Sequence, residues 1–92
     1  MKGVETMSLS DIIAIKIQEL MNKKDISIYK LESLSGVYSS TISQFLTRKT
    51  KTIRFENLVY ILKGLGTNLS EFFSDERLID AEEIEWKNKL DI

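Results

Sequence analysis

Four side chains, Ser39, Ser40, Ser43 and Gln44, can each donate and accept hydrogen bonds without carrying a charge. They are followed within a few residues by Arg48, Lys49, Lys51 and Arg54. From Ser33 to Phe55 the chain has no acidic residue, so these cations have no carboxylate close in sequence to neutralise them. Neutral hydrogen-bonding groups beside an uncompensated basic run suit non-covalent recognition of a polyanion whose surface carries further donors and acceptors. Covalent chemistry has little to work with. There is no cysteine and no histidine, which removes disulfides, thiolate metal ligands and imidazole acid–base catalysis. No phosphate-cradling glycine loop, acidic metal cluster or nucleophile–base pair can be assembled, so the chain reads as a non-enzyme that needs no cofactor and no metal.

These residues have to be carried by helices. Proline is absent, no stretch alternates in the manner of a sheet strand, and apolar residues recur at helical spacing. Ser8 or Ser10 can cap a first helix in which Ile13, Ile17, Leu20 and Met21 form an apolar stripe, with Lys23 and Lys24 in its last turn. Ser27 is positioned to cap a second helix that turns Ile28, Leu31 and Leu34 inward. Gly36 follows where that helix must stop, because a residue just past a helix end commonly takes the left-handed conformation. Val37 plugs the corner, and a third helix runs from Tyr38 or Ser39 to Leu46 or Thr47.

A polar loop over 47–53 leads into a fourth helix from Phe55 to Lys63, which buries Phe55, Leu58, Val59, Ile61, Leu62 and Leu65 and ends at Gly64 and Gly66. Asn68 and Glu71 have the spacing of a capping box for a short fifth helix carrying Phe72 and Phe73. The fold class is therefore all-α: a five-helix domain over residues 9–74, a leader at 1–8, and an acidic C-terminal extension at 75–92 that can form a sixth helix.

Charge is unevenly divided. Residues 1–74 hold ten Lys/Arg against seven Asp/Glu, a net +3, and residues 75–92 hold three against seven, a net −4. The overall balance of −1 thus hides a basic domain followed by an acidic extension. No apolar run is long enough to span a bilayer, and the N-terminus lacks a signal peptide's apolar region, so a cytoplasmic chain with no membrane partner is expected.

On a wheel of about 100° per residue, Tyr38, Ile42, Phe45 and Leu46 share one side of the third helix. Ser40, Ser43, Gln44 and Thr47 share the other, with Ser39 at the leading end between them. Such a helix docks by one face and offers short neutral hydrogen-bonding groups on the other, which lets its backbone approach the floor of a major groove. Gln44 can bond adenine in bidentate fashion, and serines can bond several bases. Ser39, Ser40, Ser43 and Gln44 are therefore the candidate base contacts. Ser27, Thr41, Thr47, Arg48, Lys49, Thr50, Lys51 and Arg54 are the candidate phosphate contacts, which hold register while bases set sequence. Amides at the helix starts near Ser27 and Ser39 add anion-binding capacity. The plainer alternative, a solvated polar helix beside a surface charge run, is disfavoured by the absence of acidic neighbours.

From Ile26-Ser27 through Phe73 the chain resembles the phage-repressor-like family (XRE/Cro-type) of helix-turn-helix transcriptional regulators. Gly36-Val37 corresponds to the family's turn and Ser40-Thr41-Ile42-Ser43 to the start of its recognition helix. Lys49-Thr50-Lys51 corresponds to its loop. The run from Asn57 to Gly66, followed by Leu69-Ser70-Glu71-Phe72-Phe73, corresponds to its fourth and fifth helices. With the first helix included, the resemblance covers about residues 9–74.

The resemblance implies a lambda-repressor-like domain that binds double-stranded DNA. It further implies a small regulator, in most cases a repressor acting at the nucleoid, that binds as a homodimer because one recognition helix reads few base pairs. For the C-terminal extension three readings stand: a dimer contact through Ile79, Trp86 and Leu90, which is preferred, a segment folded back onto the domain, or a disordered acidic tail that keeps non-specific DNA away. No small-molecule ligand is evident. The alternative is a protein-interaction module of the same fold, an antitoxin or regulatory adaptor.

Several positions depart from the family pattern. Ile28 stands where a phosphate-binding Gln is frequent, Glu32 where a small residue is usual because the two helices lie close, Tyr38 where a polar cap is usual, which leaves the cap to Ser39, and Arg48 where glycine is usual. Near Ile53 the family commonly has proline. Many members pair an Arg late in the first helix with a Glu at the end of the recognition helix. Here those positions are Met21 and Leu46, an apolar pair expected to meet in the core, since replacing both partners of a buried ion pair avoids an unpaired charge.

Overall fold

A computed structural model describes residues 7–90, the side chains of 88–90 excepted. It contains six helices and no strand among the described residues: α1 Leu9–Lys24, α2 Ile28–Ser35, α3 Ser39–Leu46, α4 Phe55–Gly64, α5 Leu69–Phe72 and α6 Glu76–Leu90. The leader residues 1–6 and the Leu90 side chain, which the sequence reading assigned to a flexible leader and a dimer contact, lie outside the described residues.

Local chemistry explains where the helices begin and end. At α1 the cap is Ser8 rather than Ser10, and it closes a full capping box: Ser8 Oγ accepts from the Asp11 amide at 3.1 Å, and Asp11 Oδ2 accepts from the Ser8 amide at 3.2 Å. Ser27 Oγ caps α2 by accepting from the Lys30 amide. Gly36, at φ 78°, ends α2 in the left-handed region that only glycine enters without a Cβ penalty, and its amide bonds the Glu32 carbonyl. Asn68 Oδ1 caps α5 by accepting from the Glu71 amide, but the reciprocal half of the box is absent, because Glu71 Oε1 instead accepts from the Thr67 hydroxyl.

The core gathers Ile12, Ile17 and Met21 of α1, Leu31 of α2, Ile42 and Phe45 of α3, and Leu58, Ile61 and Leu62 of α4, with Val37, Leu65 and Phe72 from the connections and α5. Met21 lies within this core and Leu46 packs against it from the end of α3. The seam between α2 and α4 is tight. A Cβ on Gly64 would stand 3.3 Å from Leu31 Cδ1 and from both the carbonyl carbon and Cβ of Leu34, so Gly64 is a packing residue as well as the last residue of α4.

Three inward assignments are corrected. Leu34 is 47% exposed, because only its base is covered by the seam with α4. Phe55 is 64% exposed, because it opens α4 before any other helix covers that face. Tyr38 is 75% exposed, because it sits outside α3 with extended backbone (ψ 140°) and so does not follow the helical wheel.

The acidic extension is helical from Glu76 and lies against α1, to which it contributes the buried Leu78 and Ala81. Ion pairs line this contact. Lys16 Nζ meets Asp75 Oδ2 at 3.1 Å, and the Arg77 guanidinium grips Glu19 at 2.8 and 3.0 Å while also holding Asp75 at 2.8 Å. Glu85 Oε1 accepts from the Leu9 amide at 2.8 Å, so α6 also helps to close the start of α1.

Hydrogen bonds from the Arg77 side chain, helped by the Arg77 amide and Lys16, hold the Asp75 carboxyl far below the usual carboxylate range against the opposing effect of burial. The Arg77 guanidinium lowers Glu19 in the same way. Both carboxyls have native pKa values below their unfolded ones, so their contribution is fully present above about pH 5 and is lost as pH falls through the native values. Thermal unfolding followed from about pH 5 to about pH 2 is expected to show falling Tm, and Asp75→Asn is expected to lower Tm at neutral pH while flattening that fall. Packing of α6 gives a second test. Leu78→Ala is expected to destabilise the domain by roughly 2–4 kcal/mol in urea unfolding, and Ile79→Ala, whose side chain is half exposed, by under about 1 kcal/mol.

Candidate nucleic-acid interface

The surface built from α3 and the loop after it divides into exposed and held parts. Ile42 and Phe45 anchor α3 in the core. On the opposite side Ser40, Gln44 and Thr47 are exposed, and Ser39, Thr41 and Ser43 are half-buried. The four candidate base contacts thus lie on one helix with solvent access and no charge among them. Thr47 is partly committed, since its hydroxyl donates to the Ser43 carbonyl at 2.8 Å and has no second proton to offer an anion. Ser27 uses only its oxygen as a cap, so its hydroxyl proton remains available.

Ser39 was expected to cap α3 in place of Tyr38. It is instead the first residue of the helix, and Tyr38 occupies the cap position without any side-chain hydrogen bond. The Ser39 amide donates to Glu32 Oε2 at 3.0 Å, across the α2–α3 turn. That amide, assigned beforehand to anion binding, is therefore already occupied.

Arg48 differs most from expectation. It occupies the left-handed region at φ 64°, which accounts for the glycine usual there in the resembling family. Its guanidinium is held on three sides: Nε donates to Asp11 Oδ1 at 2.9 Å, Nη2 to Ser10 Oγ at 2.7 Å and Nη1 to the Phe45 carbonyl at 3.1 Å. The group also lies 4.8 Å from the centre of the Phe45 ring, within cation–π range. Ser10 completes the tie by donating its hydroxyl proton to the Lys51 carbonyl.

The expectation that no carboxylate reaches the basic loop is therefore corrected. Asp11 comes from a residue 37 positions earlier, a distance that local charge counting does not see. Its carboxyl is lowered first by the Ser8 amide and then by Arg48, so it stays ionised and serves both the α1 cap and the loop.

Lys49, Lys51 and Arg54 lie beyond the Arg48 tie. All three are exposed, and none pairs with a carboxylate among the described residues. Thr50 is exposed beside them, and its amide donates to the Gln44 carbonyl at 3.1 Å, folding the loop back against the end of α3.

Between α3, this loop and the start of α4 lies an open recess of about 540 Å³, whose polar lining comes from Tyr38, Thr41, Gln44, Thr50, Thr52, Arg54 and Asn57. The amides at the start of α4 have no side-chain cap, because Arg54 stands at the cap position. The recess therefore joins a hydroxyl- and amide-rich wall, a cation and the positive end of a helix, which suits a phosphate. Tyr38 and Asn57 were missed as members of this surface. Asn57 carried a readable signal, as a hydrogen-bonding side chain in the first turn of a helix that follows a basic loop. Tyr38 carried none, since its apolar ring on the wheel pointed to the core. Among the described residues no group of side chains suits a metal ion, and no helix is long and apolar enough to cross a membrane.

Residues 16–77 match the family model of the Cro/C1-type HTH DNA-binding domain, a span running from α1 to the first turn of α6. No curated protein and no solved structure matches the chain. The matched span includes the Gly36 turn, the neutral face of α3 and the basic loop, and most of the chain lies within it. The chain belongs to the Cro/C1-type helix-turn-helix DNA-binding family.

Proposed function

We propose that this chain is a sequence-specific regulator of transcription that binds double-stranded DNA as a homodimer and represses by occupying its site on the nucleoid. The observation that carries this reading is the juxtaposition of α3's exposed, uncharged polar face with three exposed cations that pair with no carboxylate among the described residues. In this reading α3 enters the major groove, where Ser39, Ser40, Ser43 and Gln44 contact base edges. Lys49, Lys51 and Arg54, with Thr41, Thr50 and Ser27 as neutral donors, contact the flanking phosphates. Arg48 braces the loop from behind and Thr47 closes α3, so both act on DNA through their neighbours.

The dimer contact is assigned to α6. Its buried side holds Leu78 and Ala81 against α1, while Ile79 and Trp86 are 48% and 60% exposed. Aromatic side chains of this kind are enriched where protein surfaces meet. The same exposed pair is the specific observation behind the alternative, in which the fold serves as a protein-interaction module.

Selection from a random duplex pool decides between these readings. The DNA-binding reading expects enrichment of a site with two related half-sites about one helical turn apart. If the dimer neutralises about eight phosphates, log K for that site falls against log salt with a slope of about −7. Sedimentation of the full chain is expected to show a dimer that Trp86→Glu shifts toward monomer. An absence of enrichment, or binding indifferent to salt, would sink the DNA reading and favour the interaction module.

A further inference from the structure

Three of the helix starts in this chain are capped by the residue that stands immediately before the helix: Ser8, Ser27 and Asn68 each accept a backbone amide three positions on. At α3 the corresponding residue is Tyr38, whose side chain makes no capping bond. A phenol at that position cannot fold back onto its own helix in the way that a serine or asparagine does. The amides at a helix start need acceptors. The first of them, that of Ser39, finds its acceptor on the preceding helix: Glu32 Oε2 takes it at 3.0 Å, an amide that a cap at position 38 would not reach.

Glu32 therefore acts on both sides of the turn. Its carbonyl accepts the Gly36 amide at 2.8 Å and ends α2, and its carboxylate accepts the Ser39 amide and starts α3. One residue thus links the last turn of α2 to the first turn of α3 around the left-handed Gly36. Its negative charge lies at the positive end of the α3 dipole, and a charge-assisted hydrogen bond is stronger than a neutral one. No residue of α3 itself carries a charge. Two departures from the family pattern meet at this turn: a large acidic residue stands for a small one in α2, and an aromatic for a polar cap before α3.

We propose that Glu32 is the positioning residue of the recognition helix, fixing the start of α3 from α2 and so setting how sharply the α3 face discriminates one DNA sequence from another. The proposal rests on the DNA-binding reading for its functional half. A carboxylate at this place repels phosphates and lowers affinity for any duplex alike, whereas a fixed helix start favours only the duplex whose base edges match. Glu32 therefore trades general affinity for discrimination. Glu32→Gln retains a carbonyl acceptor without the charge, and Glu32→Ala removes both. Tyr38→Ser adds a local cap at a backbone conformation (φ −58°, ψ 140°) that such caps tolerate.

The test has two arms. In the first, amide hydrogen exchange of Ser39 in the free protein is followed by NMR. Glu32→Ala is expected to speed exchange about five- to tenfold and Glu32→Gln to change it less, whereas Tyr38→Ser added to Glu32→Ala is expected to protect the Thr41 amide, three positions on, and to leave Ser39 fast. In the second, affinity for the selected duplex is compared with that for an unrelated duplex of equal length. Glu32→Ala is expected to lower this ratio about fivefold while raising affinity for the unrelated duplex, and Tyr38→Ser is expected to recover the ratio. Ser39 exchange unchanged in Glu32→Ala would overturn the cap, and a ratio unchanged despite faster exchange would overturn its role in discrimination. If selection enriches no duplex, the DNA reading fails and takes the discrimination role with it, while the exchange arm still decides whether Glu32 holds the helix. Should Glu32→Ala fail to fold, the same comparisons are made with Glu32→Gln and with the Glu32→Ala, Tyr38→Ser pair.

Discussion

The Arg48 guanidinium is the point at which the framework of this domain and its outer surface are joined. It binds the Asp11 carboxylate and the Ser10 hydroxyl at the start of α1, and the Phe45 carbonyl near the end of α3, while stacking on the Phe45 ring. Charge-assisted bonds of this kind are strong for their size and demand a fixed geometry. Ser10 extends the tie to the Lys51 carbonyl. The basic loop is thus ordered before any ligand arrives, and Lys49, Lys51 and Arg54 project from a backbone whose path is already set. Pre-ordering reduces the entropy lost when flexible groups are immobilised on binding.

A second set of contacts fixes the helices themselves. Gly64 lets α2 and α4 approach closely, Gly36 makes the turn between α2 and α3, and Glu32 closes that turn from both sides. The acidic extension adds support at a distance, since α6 docks on α1 through Leu78 and Ala81 and is tied to it by Lys16, Glu19, Asp75 and Arg77. The acid concentrated in 75–92 is carried by the extension that docks on α1, whereas Lys49, Lys51 and Arg54 are exposed in the loop after α3. This explains how a chain of net charge −1 presents a basic face.

Element types and most of the core were legible because they depend on local signals. Ser8, Ser27 and Asn68 capped as their types suggest, Gly36 took the left-handed turn, and Ile42 and Phe45 faced inward on the wheel. What escaped depends on contacts distant in sequence. Nothing near Arg48 in the sequence discloses Asp11, so the ion pair that holds this half-buried guanidinium was not legible. Glu32 read as a misfit in a tight helix pair, and its use became visible only once the Gly36 turn brought it to Ser39. Leu34, Tyr38 and Phe55 read as core because periodicity reports a face without reporting whether another element covers it.

The division between a brace and a clamp is the central claim, and the salt dependence of DNA binding measures it most directly. Arg48→Gly keeps the φ 64° backbone free of strain and removes the tie. It is predicted to lower affinity at every salt concentration while leaving the slope of log K against log salt unchanged. Lys51→Ala is predicted to make that slope shallower by about 2 for a dimer, one phosphate contact being lost from each protomer. A slope made equally shallow by Arg48→Gly would show that Arg48 contacts phosphate after all and would contradict the account.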